Sequence, residues 1–299
     1  MNQITFSVVS DLEEAKRTWA EFTPDRHLFD LWDCRYIFYK YFNYPLHFIV
    51  GHDGDTAIGI LPIQYNTDTK VYEFFGGYFM EENTVFVSPG YEEAIPLFYE
   101  QVPTPAHLGC ITPQHQFEEA LPLDDYKYLL PLIEIHSFEE FLNVKFNSEH
   151  RKPFKRRIRR LEELGVEIIE NDPDALSLLF DFHIKHFGAA SSFHYPFRKN
   201  IYEDLSRLAA PVEVYMLTFV VAGVKEGVSI GIKYKNRFIG FNAGSNTEKH
   251  PTLPMYINAK NIDYAVKKGA TLCDFLMGDY TWKISWQFDK LAERKYEKN

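Results

Sequence analysis

Residues 274–286 read DFLMGDYTWKISW, and this stretch decides how the chain is interpreted. The apolar run Leu272–Met277 predicts a buried strand, and Gly278 predicts where that strand ends. Asp279 and Lys283 follow with a spacing of four, so one helical turn would place both on the same face. A strand that delivers an acid, a lysine and two aromatic rings to one end of a sheet is typical of an active-site edge.

The residues of this turn suit acyl transfer without a covalent nucleophile. Such a reaction needs a base for the acceptor's proton and donors for the developing oxyanion. Asp279 is the candidate base, or a group that orients one, and Lys283 is the candidate oxyanion donor or phosphate ligand. Tyr280 and Trp282 are candidate pocket walls that contact the substrate. The alternative is an exposed Asp–Lys pair on a C-terminal helix, which would contribute only about 0.2–0.5 kcal/mol.

The pattern DFLxGDxxxK, formed here by residues 274–283, resembles the cellulose-biosynthesis-type acetyltransferase family. That family belongs to the GNAT superfamily and is related to the Fem aminoacyltransferases, which build peptidoglycan cross-bridges. The resemblance extends to Asp274, Gly278, Asp279 and Lys283. It implies that Lys283 assists transfer, as a lysine near this position is thought to do in the Fem-like enzymes.

The composition predicts a globular protein with one large or two ordinary domains. Hydrophobic residues make up 45% of the 299 residues, and no apolar run reaches the length of a membrane span. The N-terminus lacks the basic and apolar regions of a secretory signal, so we expect a cytoplasmic protein. The three cysteines form neither a disulfide framework nor a zinc spacing. The net charge of −10 argues against DNA as a partner.

Two halves of the chain carry the same predicted order of elements, at a spacing of about 168 residues, which indicates a duplicated α/β unit. Each half has a strand, a helix, a hairpin around a glycine-bearing turn, and a third strand. In the first half these are Ile4–Val9, Asp11–Phe22, Leu46–His52 with Thr56–Tyr65, and 71–76. In the second half they are Val166–Glu170, a helix from Pro173 capped by Asp172, Val214–Ala222 with Gly227–Tyr234, and 237–244.

A helix at Pro254–Lys268 and the strand Leu272–Met277 complete the second half. This order is that of the GNAT fold. The predicted fold class is therefore α/β with two tandem GNAT-like units, each a mixed, largely antiparallel sheet flanked by helices. We expect residues 1–135 to form a degenerate N-terminal domain and residues 136–299 to form the C-terminal domain.

Residues 150–165, HRKPFKRRIRRLEELG, concentrate positive charge in an otherwise acidic chain. Phe154, Ile158 and Leu161 would form the apolar stripe of a helix. Arg156, Arg159 and Arg160 are therefore candidate ligands for an anionic group on a substrate, since arginine binds phosphate and carboxylate with a planar fork. That group would belong to a nucleotide diphosphate, coenzyme A, tRNA or an anionic lipid; the alternative is a solvated basic face. In the Fem-like relatives a similar Arg-rich helix starts the second domain.

The segment 244–254, GSNTEKHPTLP, stands where a GNAT enzyme has the glycine-rich loop that binds the acetyl-CoA pyrophosphate. Bare backbone N–H groups at a helix start bind the anion there. No glycine follows Gly244, and Pro251 and Pro254 lack an N–H. An acyl-CoA is therefore a candidate co-substrate beside aminoacyl-tRNA, and no tightly bound cofactor is expected.

Secondary candidates for substrate binding lie early in the second half. His186 falls on the predicted helix, and His194 and Arg198 fall in a loop of small and aromatic residues at 188–198. His183 and His186 are three residues apart, but a metal needs a third ligand, so no metal is predicted. The aromatic stretch at 32–42 is expected to pack in a core, with a polymer-binding groove as the alternative.

These features give three hypotheses. The first is a cytoplasmic N- or O-acyltransferase whose acceptor is a small molecule, a glycan or a peptidoglycan precursor of the cell envelope, or a polysaccharide. The second is a Fem-like peptidyltransferase that uses aminoacyl-tRNA. The altered segment at 244–254 favours this second hypothesis, whereas the acidity and the lack of a coiled-coil arm oppose it. The third is a non-catalytic GNAT-fold binding module, since a fold does not guarantee catalysis.

Overall fold

The computed structural model describes residues 3–299, which form two compact units. The first unit runs to Lys127 and also includes Leu291–Asn299, and the second comprises Tyr128–Lys290. These units are defined by which residues pack together. The predicted domain limits, 1–135 and 136–299, are based on the repeated order of elements along the sequence, and they stay a prediction.

The helices and strands follow one another along the chain in a mixed α/β order. Up to the second unit they are β1 (Ile4–Val9), α1 (Leu12–Phe22), α2 (Trp32–Tyr39), β2 (Leu46–Asp53), β3 (Thr56–Asn66), β4 (Val71–Phe74), β5 (Phe86–Val87), α3 (Ile95–Glu100), β6 (Ala106–Ile111), α4 (Gln116–Glu119) and β7 (Leu123–Pro131). The remaining elements are α5 (Phe138–Lys145), α6 (Ser148–Glu162), β8 (Val166–Glu170), α7 (Ala175–Phe187), α8 (Pro196–Leu205), β9 (Glu213–Val221), β10 (Val224–Tyr234), β11 (Arg237–Ser245), α9 (Leu253–Lys267), β12 (Leu272–Met277), α10 (Thr281–Ser285) and β13 (Asp289–Lys298).

The first unit is built on strands in the order β1-β2-β3-β4-β6-β13. Asp11 caps α1, as predicted, because its carboxylate accepts the Glu14 N–H at 2.9 Å. Trp19 on α1 is buried and packs edge-on against Phe75 and Phe86. This aromatic core fixes α1 against the sheet, so the sequence pattern of a strand, an amphipathic helix and a hairpin is confirmed here.

The space between the parallel strands β4 and β6 is filled by the chain itself. The two strands pair only at Tyr72 and Ala106. Further along, Asn83 takes the place of β4: its N–H donates to Cys110 O at 2.8 Å, and its carbonyl accepts from Thr112 N at 3.0 Å. Any opening between these strands is therefore closed within the first unit.

A group of buried ionic side chains surrounds this insertion. The Lys127 ammonium lies 3.1 Å from Glu81 and 3.5 Å from Glu82, and the side chain of Lys127 is fully buried. Glu293 of β13 is also fully buried, and both of its oxygens accept from the Thr112 hydroxyl at 2.8–2.9 Å. Burial raises the pKa of Glu293 to about 8, although the Lys127 charge opposes the rise. Glu293 is thus neutral over much of the neutral pH range.

The second unit carries strands in the order β7-β12-β11-β10-β9-β8, and helices cover both faces of its sheet. Along β10, Val228 and Ile230 face α7, where they form a buried cluster with its apolar side chains. The alternate residues Gly227 and Ser229 face α9, because the Ser229 hydroxyl donates to Asn261 at 2.9 Å. The residues 226–232 of β10 are therefore all buried, because both faces of the strand are covered.

Two predicted boundaries in this unit are wrong. The helix expected from Pro173 begins at Ala175, and Asp172 does not cap it. Asp172 is buried, and its carboxylate accepts the Asp174 N–H at 3.1 Å and the Lys225 ammonium at 2.9 Å. The hairpin turn lies at 222–223, so β10 begins at Val224 rather than at Gly227. The strands Val166–Glu170 and Leu272–Met277 are confirmed at both ends.

Among residues 3–299, no helix is both long enough and apolar enough to cross a bilayer. The three cysteines are unbonded.

The Glu293→Gln variant should be less sensitive to pH than the wild-type protein. The folded-state pKa of Glu293 lies above its unfolded value of 4.5, so folding binds a proton and the wild-type protein loses this stability between pH 4.5 and about 8. Glutamine keeps the shape and carries no charge. Above pH 8 we expect the free energy of unfolding of the variant to exceed that of the wild type by about 2 kcal/mol or more. Urea titrations at pH 5, 7 and 9 measure this.

Glu297→Gln is the matched control, because Glu297 lies on the same strand and its pKa is lowered by Lys295 rather than raised. If the free energy of unfolding depended on pH in the same way in both variants, the buried Glu293 carboxyl would not cause the predicted loss of stability.

Candidate active site

The site is built where β11 and β12 separate. These parallel strands pair at only three positions, Arg237–Ile239 with Leu272–Asp274. Beyond Ile239, the ladder pairs that the structure describes for β11 are all with β10. Backbone groups at such an opening can bind an extended, amide-containing arm of a substrate, as a sheet edge binds a peptide.

A buried carboxylate holds the backbone bend at the end of β12. Leu276 has φ +61° and Gly278 has φ +104°, both in the left-handed region. A leucine there is strained unless its surroundings hold it. Asp274, which is fully buried, accepts the Leu276 N–H at 2.8 Å and lies 3.4 Å from the Arg237 guanidinium. Asp274 thus fixes the direction in which the chain leaves the sheet.

Lys283 fixes the same bend from the other side. It lies on α10 and is 3% exposed. Its ammonium donates to the carbonyl oxygens of Leu276 at 3.0 Å and Met277 at 2.6 Å. The Tyr128 and Tyr280 rings lie 5.3 and 5.1 Å from the ammonium, within range of a cation–π attraction. The positive charge therefore holds the end of β12 and the start of α10 together.

Asp279 presents the ionised carboxylate of the turn. Its side chain is 49% exposed, accepts a short hydrogen bond from the Tyr128 hydroxyl and lies 3.2 Å from the Lys290 ammonium. The hydrogen bond from Tyr128, and then the bond from Lys290, lower the pKa of Asp279. Sequence reasoning missed Tyr128 and Lys290, because no local pattern connects residues 128 and 279.

The predicted common face of Asp279 and Lys283 is wrong. The helix α10 begins at Thr281, so Asp279 lies before it. The two side chains find different partners: Lys283 turns inward to backbone carbonyls, and Asp279 turns toward Tyr128 and solvent. The exposed Asp–Lys pair considered as an alternative is also excluded, since Lys283 is buried.

The two aromatic residues of the turn differ in environment. Tyr280 is 62% exposed beside the carboxylate. Trp282 packs edge-on against Phe275 at 5.8 Å and Trp286 at 5.9 Å, so it belongs to the aromatic cluster beneath α10. Of the two, Tyr280 has the free surface that a pocket wall needs.

The basic helix α6 rests on that same aromatic cluster. Asn147 caps it by accepting the N–H groups of Glu149 and His150 at 3.1 Å. Phe154 contacts Phe146 at 5.3 Å and Trp286 at 5.6 Å between ring centroids. The predicted apolar stripe is thereby confirmed. The three arginines proposed from the sequence, Arg156, Arg159 and Arg160, all lie exposed on the opposite side.

The remaining predicted residues lie along α7, the following loop and α8. His186 is exposed on α7, and His194 is exposed in a 3-10 turn, where its Nε2 lies 2.9 Å from Gly188 O. Arg198 is half-buried on α8, and burial lowers its pKa. The structure thus groups Asp279, Tyr280, Trp282 and Lys283 at one turn, and it places the α6 arginines and these three residues on other elements.

The segment 244–254 does not fit the pyrophosphate of coenzyme A. Several of its N–H groups are engaged within the chain: Asn246 N donates to Glu226 O, and His250 N donates to Asn246 O, both at 2.9 Å. The buried carboxylate of Glu226 lies 2.5 Å from the Lys249 ammonium. The positive charge of Lys249 is thus offset by the buried Glu226, so this pair gives a phosphate little net attraction.

The described residues 3–299 contain no group of three or more His, Cys, Asp or Glu side chains that could hold a metal ion.

The comparisons with known proteins agree with this architecture. Residues 148–284, just under half of the chain, match the family model described as an acetyltransferase (GNAT) domain. No curated protein shows a significant match. The solved structure of FemX is similar with a TM-score of 0.61 at 12% identity, covering 99% of this chain and 98% of that one.

Two further solved structures are similar over almost the whole chain. A tandem GNAT protein from the clavulanic acid biosynthesis pathway has a TM-score of 0.54 at 12% identity, with 99% and 98% covered. L-PGS from Bacillus licheniformis has a TM-score of 0.61 at 8% identity, with 97% and 93% covered. Identities this low show a shared fold.

The predicted fold class of two tandem GNAT-like units with helix-flanked, largely antiparallel sheets is confirmed. The domain match and the GNAT neighbours also support a transferase of the GNAT type. Enzymes with this fold generally take an acyl-CoA as co-substrate, and in this chain N–H groups of the segment 244–254 are bonded within the chain.

Replacing Tyr128 by phenylalanine should raise the pKa of Asp279. The Tyr128 hydroxyl is the first cause that holds this pKa low, and phenylalanine removes it while the ring remains over Lys283. A carboxyl-carbon NMR titration of Asp279 measures the change. Tyr280→Phe is the matched control, because its hydroxyl makes no hydrogen bond among residues 3–299. A pKa that is the same in wild type and Tyr128→Phe would contradict this assignment.

Proposed function

We propose that the protein is an acyltransferase that transfers an acyl group to an amine or hydroxyl of a cell-envelope precursor or polysaccharide. The single observation that carries the proposal is the solvent-facing carboxylate of Asp279 at the separating ends of β11 and β12. Its low pKa keeps it ionised and ready to accept a proton.

The proposed chemistry is a direct transfer. The neutral nitrogen or oxygen of the acceptor attacks the carbonyl carbon of the donor, a C–N or C–O bond forms, and an electron pair moves onto the carbonyl oxygen. Attack makes the acceptor proton much more acidic, so even a weakly basic carboxylate can take it. As the carbonyl re-forms, the bond to the sulfur or oxygen of the donor breaks, and the leaving group takes the proton from Asp279.

In this proposal the other residues of the turn orient the reacting groups. Tyr128 and Lys290 direct the Asp279 carboxylate, and Lys283 holds the turn on which that carboxylate lies. Tyr280 forms the exposed wall beside it. Positioning of this kind accounts for a large share of the rate gain in acyl transfer.

The acceptor class rests on the resemblance of the DFLxGDxxxK motif to the cellulose-biosynthesis-type and Fem-like families, and on the similarity to FemX and L-PGS. We place the reaction in the cytoplasm, since precursors of this kind are assembled there.

Aminoacyl-tRNA is the second candidate donor. The engaged N–H groups and the buried Glu226 at 244–254 favour it, because they remove the backbone cradle that would hold coenzyme A. The donor in either case is an activated acyl ester or thioester, and the role of Asp279 is the same.

Transfer should depend on Asp279 and should not depend on the exposed Asp289. We expect Asp279→Asn to slow transfer from an acyl-CoA or an aminoacyl-tRNA to an amine-bearing envelope precursor by about 10²-fold or more. Donor affinity should stay within about twofold, because the change is in the proton acceptor. Product formation is followed with a radiolabelled acyl group, in separate reactions for the two donors.

Asp289→Asn is the matched control: Asp289 is an exposed aspartate ten residues away, paired with Lys145 at 2.8 Å. Equal rates for the two variants, or no transfer from either donor by the wild type, would contradict the proposal and leave a binding module.

A further inference from the structure

The helix α6 carries a positive charge, although the protein as a whole is negatively charged. Residues 148–163 contain seven Lys or Arg and three Glu, a net charge of +4 (seven minus three), whereas the whole chain carries −10. Its apolar stripe is occupied, because Phe154 packs on Phe146 and Trp286 and Leu161 is buried. Packing explains the apolar stripe, and it does not explain why the exposed side of the helix is so strongly basic.

Four of these cations line one depression. Lys152, Lys155, Arg156 and Arg159 are spaced by three and four residues, so they share the outward face of the helix over a length of about 10 Å. Together with Glu149 and Pro153 they line a depression of about 420 Å³. Arg157 and Arg160 lie on the same helix and do not line it.

The charges in this groove are poorly neutralised. Within residues 3–299, Lys152 and Arg156 form no ion pair or side-chain hydrogen bond. Lys155 is paired with Glu139 at 2.6 Å and Arg159 with Glu163 at 3.4 Å, and all four cations are exposed. Exposed pairs of this kind contribute little, so a ligand with two adjacent negative groups can replace them.

The surroundings indicate a small anion. A membrane surface would need the apolar face of the helix, which is buried in the unit. A polynucleotide needs a longer basic track, and here Glu149, Glu162 and Glu163 bound the cations at both ends. Lys152 and Arg156 are about one helical turn apart, a rise of about 6 Å, and two linked phosphates can bridge such a pair.

We propose that this groove binds the diphosphate group of a small substrate of the transferase. This inference rests on the proposed function, because it identifies one reactant of the proposed transfer as a molecule that carries a diphosphate. In this proposal, arginine and lysine side chains of the groove bind the phosphates by charge-assisted hydrogen bonds. They take the place of the backbone N–H groups that would bind a pyrophosphate at 244–254. The shared chemistry belongs to coenzyme A and to nucleotide diphosphates alike.

The test is binding of inorganic pyrophosphate to the full-length protein, measured by calorimetry at low and moderate salt. Arg156→Glu should weaken binding at least about tenfold, whereas Arg157→Glu, the neighbouring residue with the same charge change, should change it less than about threefold. Circular dichroism of both variants checks that α6 is intact. Coenzyme A and UDP, titrated in parallel, distinguish the two sources of the diphosphate.

Absence of pyrophosphate binding by the wild type, or equal weakening by the two variants, would overturn the proposal. So would preferential binding of tRNA or of phosphatidylglycerol vesicles that Arg156→Glu abolishes while pyrophosphate fails to compete. Asp279→Asn should bind pyrophosphate as the wild type does, so a failure of the acyl-transfer proposal is seen separately from a failure of this one.

Discussion

The candidate site depends on one buried ammonium group. Lys283 donates to the carbonyl oxygens of Leu276 and Met277, and these are the last residues of β12. These two bonds hold the carbonyls at a strained bend in which Leu276 has φ +61°. Asp274 holds the same bend from the side of the sheet, because it accepts the Leu276 N–H. A cation and an anion together thus fix a backbone conformation that leucine alone would avoid.

Lys283 and Asp279, the two charged residues of the motif, therefore have different roles in this arrangement. Lys283 is engaged by the backbone and buried, so its charge shapes the turn. Asp279 has half of its side chain in solvent and is oriented by Tyr128 and Lys290, so it is the residue that can meet a substrate. In the sequence motif the two residues are four positions apart, whereas in the structure Lys283 is buried and Asp279 is half-exposed. The preorganised carboxylate is what a transfer reaction needs.

Local signals predicted much of the fold. The strand Leu272–Met277, the glycine stop at Gly278 and the amphipathic pattern of α6 depend on neighbouring residues, and each is found as expected. The long-range features could not be predicted from one sequence. The Tyr128–Asp279 contact joins residues 151 apart, and Asn83 enters the gap beside β6 without any local pattern that marks it. The Asp172 carboxylate accepts the nearby Asp174 N–H, but its other partner, Lys225, lies 53 residues away and could not be predicted from the local sequence.

Amide hydrogen exchange in Lys283→Met tests most directly whether Lys283 holds the site. Methionine keeps the apolar stem and removes the donor, so exchange across residues 277–286 should accelerate by about tenfold or more while β9 and β10 are unchanged. The Trp286 amide, which donates to Trp282 O at 3.1 Å, is a clear reporter of α10. Wild-type protection of the turn in Lys283→Met would contradict the account, because the bend would then hold without the ammonium.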